Sequence, residues 1–147
     1  MTDAERAGVL IIFVRDIMTR PVVTTTPGAS RADVRRLMSQ HHIRHVPVVK
    51  GGRLLGIVSD RDVRTATATG VASARGLMTP DPVTVTPDAR IEHAARLMLG
   101  GRFGALPVMD GATLVGIVTY TDLLRAFVHV IETATEDRIA VDWAAIA

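Results

Sequence analysis

The chain says one thing twice, at an offset of 60 residues. Arg15–Val63 aligns with Arg75–Leu123 without a gap, and 19 of the 49 positions are identical. Chance agreement at average composition would be about 6–7%. Met18-Thr19 returns as Met78-Thr79, Thr26-Pro27 as Thr86-Pro87, Leu37-Met38 as Leu97-Met98, Pro47-Val48 as Pro107-Val108, and Gly56-Ile57-Val58 as Gly116-Ile117-Val118. Asp62 returns as Asp122. Two copies of one unit imply two similar surfaces facing each other, so a functional site is to be sought between them.

A single unit of about 50 residues is marginal for independent stability, and the two are expected to share a core. The 147 residues are 48% hydrophobic and 22% charged, the composition of a packed chain. Aromatics make up only 3%, so that core is built from Val, Leu, Ile, Ala and Met. The net charge is +2, with 16 Arg and one Lys (Lys50) scattered through both halves. No run of like charge points to nucleic acid, and few aromatics are available to stack on bases. The absence of cysteine excludes disulfides, thiolate catalysis and Cys-type zinc sites, and fits a cytoplasmic protein. The longest apolar run, Val9–Val14, is too short to span a membrane and lacks the features of a signal peptide.

Read along the chain, residues 1–14 are an N-terminal extension whose apolar run packs on the repeat core as a strand or helix. The first unit, 15–67, reads as a strand at Val22–Thr26 and a helix over 30–41 capped by Ser30. A hairpin of Val46–Val49 and Leu54–Val58 follows, turning at Gly51-Gly52, and then a helix from Ser59 or Asp60 to about Thr67. Residues 68–74 form a small-residue linker. The second unit, 75–128, repeats the order, with a strand at 83–86, a helix over about 90–99 ended by Gly100-Gly101, strands at 105–109 and 113–118, and a helix from near Tyr120. The tail, 129–147, carries Val130, Ile131, Ile139, Val141, Trp143 and Ile146 and reads as helical, partly packed, and suited to a subunit interface.

The two copies resemble CBS domains, the module named after cystathionine β-synthase. The resemblance rests on Asp16-Ile17-Met18-Thr19, Thr24-Thr25-Thr26-Pro27, Leu37-Met38, His42–Val49 and Gly56–Val63, answered by Gly76–Thr79, Val83–Pro87, Gly104–Val108 and Gly116–Leu123. It covers about residues 14–128. It implies an α/β (α+β) fold of two β-α-β-β-α repeats packed as one pseudo-twofold pair, a Bateman module, with two equivalent clefts at the join. Such clefts commonly bind AMP, ADP, ATP or S-adenosylmethionine as regulatory ligands, and no cofactor is required. Two pairs often associate as a homodimer and modulate a partner protein.

Ser59-x-x-Asp62 and Thr119-x-x-Asp122 sit at strand-to-helix junctions. An ionised Asp there offers only acceptors and can take both hydroxyls of a ribose, while the hydroxyl and open N–H groups of the helix start can hold a phosphate. The same spacing is also close to a capping box, which makes each Asp a helix cap. The resemblance implies that Asp62 and Asp122 are ribose ligands. It also implies phosphate contacts at Arg44, His45 and Arg61, whose counterparts are Gly104, Ala105 and Thr121, so the clefts are expected to be unequal. The alternative for Arg44 and Arg61 is solvated surface charge. Thr19-Arg20 and Thr79-Pro80 lie where relatives contact adenine, and Val22 and Val46 are either base contacts or core.

His41-x-x-x-His45 has helical metal spacing without a supporting carboxylate, so no metal site is expected. No nucleophile elbow, Walker loop or dinucleotide glycine motif occurs, and the chain is not expected to be an enzyme. The expectation is a nucleotide-sensing pair. The alternative is a structural dimerisation module with no physiological ligand.

Overall fold

In the computed structural model, residues 10–134 and 143–146 are described, without the side chains of 67–69 and 143. The elements are α1 (Val14–Ile17), α2 (Arg31–His41), β1 (His45–Lys50), β2 (Arg53–Ser59), α3 (Asp60–Thr69), α4 (Ala74–Leu77), β3 (Thr79–Pro80), α5 (Ile91–Gly101), β4 (Ala105–Asp110), β5 (Thr113–Thr119) and α6 (Tyr120–Thr133). A 3₁₀ turn spans Trp143–Ala145. Ile139 and Val141 of the tail lie outside the described residues.

The hairpins form where the turn glycines predict them. Gly51 and Gly52 adopt φ of 58° and 74°, the left-handed conformation that a tight hairpin demands and a Cβ disfavours. β1 then pairs antiparallel with β2, and β4 with β5, in the same register: Val46 faces Val58 as Leu106 faces Val118. The helices start where hydroxyls cap them. Ser30 Oγ accepts the Asp33 N–H at 3.0 Å, and Val34 and Met38, one turn apart, bury the inner face of α2.

Two sequence expectations change. The expected strands at 22–26 and 83–86 are extended segments held by one bridge each, Thr25 to Val48 and Val85 to Val108. Only the N–H and C=O of Thr25 and of Val85 reach the neighbouring strand, at 2.8–3.1 Å, and the prolines at 27 and 87 have no N–H with which to continue. The α5 helix also runs through Gly100 and Gly101 and ends on Arg102, at φ 56°. Gly101 is needed for a different reason: a Cβ there would overlap the Phe103 ring.

The cores do not follow the order of the chain. Val14 is fully buried in a cluster with Val85, Met98, Leu106 and Val118 of the second copy. Ala74 and Leu77 are buried with Val34, Val46 and Val58 of the first. Each copy thus lends its opening helix to the other. The lending is symmetric to the hydrogen bond: Val14 and Arg15 donate to Ala89 O and Pro87 O, and Ala74 and Arg75 donate to Ala29 O and Pro27 O, at 2.8–3.0 Å. Of the apolar run, Val14 packs on the repeat core, Leu10 is exposed, and residues 10–12 form neither the strand nor the helix expected, while residues 1–9 lie outside the described residues. Burying a Val or Leu side chain stabilises by about 1.5–3 kcal/mol, so the exchange holds the halves together as one unit.

The exchange continues into the strands. β3 pairs with β2, setting Thr79 opposite Ile57, and Thr19 pairs with Ile117. Gly56 and Gly116 make this approach possible: a Cβ on Gly56 would stand 2.7 Å from the Thr79 carbonyl oxygen, and one on Gly116 2.5 Å from Met18 Sδ. No helix among the described residues is long and apolar enough to cross a membrane.

Candidate functional site

A cleft of about 250 Å³ opens between the copies. β2 ends at Ser59, and the turn into α3 brings Asp62 to the cleft wall. His45, opposite Ser59 in the hairpin register, stands beside it. Because β3 pairs with β2, the second copy's loop of Thr79, Asp81, Pro82 and Val83 forms another wall. Arg102, Phe103, Gly104 and Ala105, the link from α5 to β4, complete it.

Asp62 serves two readings at once. Its Oδ2 accepts the Ser59 N–H at 2.8 Å, and its own N–H donates to Ser59 Oγ at 3.1 Å, a complete capping box. Oδ1 has no partner among the described residues, and an ionised carboxylate oxygen can accept a ligand hydroxyl. The helix start is less open to phosphate than its spacing suggests. The Asp60 N–H is already donated to the Arg44 carbonyl at 2.7 Å, and the Asp62 N–H to Ser59.

Asp122 differs. It is 6% exposed, against a half-buried Asp62. Its Oδ2 accepts the Thr119 N–H at 2.9 Å and the Thr119 hydroxyl at 3.1 Å, and its Oδ1 accepts the Thr19 hydroxyl at 3.0 Å. Both of its oxygens are therefore engaged.

Of the residues singled out in the sequence, the structure gathers His45, Ser59, Asp62, Thr79, Gly104 and Ala105 around one cleft. Thr19, Thr119 and Asp122 form a hydrogen-bonded group at the other junction. Arg20, Arg44, Arg61 and Pro80 are exposed and outside the lining of the Asp62 cleft, and Thr121 lines a shallow groove on α6. Val46 is fully buried in the core, whereas Val22 is half-buried.

Of the three phosphate contacts the resemblance implied, His45 is in the lining and Arg44 and Arg61 are not. The lining holds the carboxylates of Asp62 and Asp81 against the one guanidinium of Arg102. Burial lowers the His45 pKa below the ordinary imidazole value, with Arg44 adding to the effect and Asp62 and Asp60 opposing it. His45 is thus biased towards its neutral form. Sequence reasoning missed Arg102, Phe103 and Asp81. Arg102 and Asp81 both have positive φ, which nothing in the residue type of Arg102 announces; Phe103 was detectable only through Gly101, whose missing side chain leaves room for its ring. Among the described residues no three His, Asp or Glu side chains converge as metal ligands.

Two intertwined copies around an interfacial cleft, each with an Asp in a capping box at a strand-to-helix junction, define a paired-repeat architecture. The CBS domain family model matches residues 14–68 and 74–129, and the chain belongs to the CBS-domain family. It is similar to the CBS domain pair of protein MJ0100, solved in complex with 5′-methylthioadenosine and S-adenosyl-L-methionine: TM-score 0.79, 30% identity, covering 82% of this chain and 98% of that one. It is also similar to CBSX2 solved in complex with AMP: TM-score 0.71, 30% identity, covering 81% and 98%. The CBS domain-containing protein YhcV of Bacillus subtilis is 34% identical over 75% of this chain and 81% of its own length. An inosine-5′-monophosphate dehydrogenase of Korarchaeum cryptofilum is 36% identical over 80% of this chain, which spans only 25% of that enzyme.

Proposed function

We propose that the chain is a sensor of adenosine-containing ligands, that its working site is the Asp62 cleft, and that occupancy alters how it engages a partner protein. The observation that carries this reading is Asp62 in the lining of an interfacial cleft, with Oδ2 held by the capping bond and no hydrogen bond to Oδ1 among the described residues. Ile57, Val83 and Phe103 offer apolar surface for a base. With two carboxylates against one guanidinium, the cleft favours adenosyl ligands with no net negative charge, such as S-adenosylmethionine, or with a single phosphate, such as AMP, over ATP. Two solved relatives hold ligands of this kind. A ligand touching both copies stabilises the arrangement it bridges and shifts the population towards it. A cytoplasmic setting suits such ligands. No catalytic role is proposed, since the enzyme relative carries the matching segment as a quarter of its length.

Calorimetry with AMP, ATP and S-adenosylmethionine tests this reading. Binding of at least one, abolished or strongly weakened by Asp62→Asn, is the expected outcome. Binding of none, or binding indifferent to that change, overturns it.

A second feature supports association as a homodimer. The α6 helix leaves Leu124, Phe127, Val128 and Ile131 49–63% exposed on one helix. A run of large apolar side chains of this kind is characteristic of an interaction surface. The native mass of the wild type against Phe127→Glu tests it: a dimer that the charge converts to monomer supports the assignment, and a monomeric wild type removes it.

A further inference from the structure

We propose that Thr19 fills the ligand position of the second junction from within, so that the chain binds one adenosine ligand where its symmetry offers two. The inference rests on the reading of Asp62 as a ligand residue and deepens it.

The two junctions share the hydroxyl-x-x-Asp spacing, the fold and the capping box, and the difference that bears on ligand lies at the second carboxylate oxygen. At Asp62 the oxygen left over by the cap accepts no hydrogen bond among the described residues. At Asp122 the corresponding oxygen accepts the Thr19 hydroxyl at 3.0 Å, across 103 residues of chain. A hydroxyl on a carboxylate oxygen is the interaction that a ribose hydroxyl would make there. Thr79, the symmetry counterpart of Thr19, lines the Asp62 cleft and makes no such bond to Asp62 among the described residues. A ligand entering beside Asp122 must first break a charge-assisted hydrogen bond at a carboxylate that is only 6% exposed. One entering beside Asp62 displaces no protein hydroxyl. A bond of this class corresponds to a factor of about 10–100 in an equilibrium constant, which is enough to leave one site empty at concentrations that fill the other.

Isothermal calorimetry with AMP and with S-adenosylmethionine reads the stoichiometry. The wild type should take one equivalent, Thr19→Ala two, and Thr19→Ala with Asp122→Asn one again. A wild type taking two equivalents, or a Thr19→Ala protein gaining none, overturns the assignment. Should the wild type take neither probe, the reading of the Asp62 cleft falls. The Thr19 assignment is then decided by Thr19→Ala alone: one equivalent gained upholds it, none overturns it. A denaturation cycle guards against variants that are merely loosened. Thr19→Val and Asp122→Asn should be coupled by about tenfold in the unfolding constant, and Thr79→Val and Asp62→Asn should be independent. Absence of the first coupling also overturns the proposal.

Discussion

The imidazole of His45 occupies the space that a side chain on Gly104 would need: Nε2 lies 2.9 Å from where a Cβ of Gly104 would stand. The two residues come from different copies and meet at the cleft, so a side chain at 104 would act on the site through His45. In Gly104→Ala the ring must move, and a ring edge moves more cheaply than backbone. The expected outcome is a nearly unchanged unfolding midpoint with ligand affinity several-fold weaker, measured by calorimetry on AMP or S-adenosylmethionine.

Asp62 holds a cap on one oxygen and offers the other to ligand, and two substitutions separate the roles. Asp62→Asn keeps an acceptor for the Ser59 N–H but removes the charge. Affinity should fall about 10- to 100-fold with little loss of stability. Asp62→Ala should lose the same affinity and also about 0.5–1 kcal/mol of stability with the capping box. Paired binding and urea-denaturation measurements check the contrast.

Arg102 is the one guanidinium lining the cleft. Arg102→Ala should weaken AMP about tenfold and leave 5′-methylthioadenosine, which has no phosphate, unchanged. An equal effect on both ligands would assign Arg102 a structural role.

The lowered pKa of His45 makes stability depend on pH. The folded state binds a proton at this site less readily than the unfolded chain does. The resulting stability is present above the ordinary imidazole value, near 6.5, and is lost as pH falls through the lower folded value. The unfolding midpoint should therefore decline as the pH falls from about 6.5 through the lower folded value, and His45→Gln should decline less over the same interval.

Gly56 and Gly116 are equivalent in sequence but not in what they face. A Cβ at 56 meets the Thr79 carbonyl oxygen, which is backbone, as well as Met78 Sδ, whereas the nearest atoms to a Cβ at 116 all belong to the flexible Met18 side chain. Gly56→Ala should cost about 1–3 kcal/mol. Gly116→Ala should cost less, by thermal or chemical unfolding.

Much of the local structure was legible in the residues. Gly51-Gly52 announced the first hairpin, and the hydroxyls of Ser30, Ser59 and Thr119 announced helix starts, because these features depend on neighbours within four residues. Gly100-Gly101 misled for the same reason. The glycine signal was real, but its cause was the Phe103 ring and the left-handed turn fell on Arg102. The short segments at Thr25 and Val85 had strand composition yet formed single bridges, since pairing depends on how much partner strand lies alongside.

By itself the sequence determined a doubled unit, its order of elements, and a capped Asp at each junction. The tertiary structure alone decided that the copies exchange their opening helices, because Val14 and Ala89 meet through contacts that no local pattern encodes. It also placed Arg102 in the lining of the cleft, whereas Arg44 and Arg61 are exposed outside it. The fate of the two Asp residues was decided at the same level. Identical spacing makes both of them caps, but whether the second oxygen stays open depends on a threonine 103 residues away.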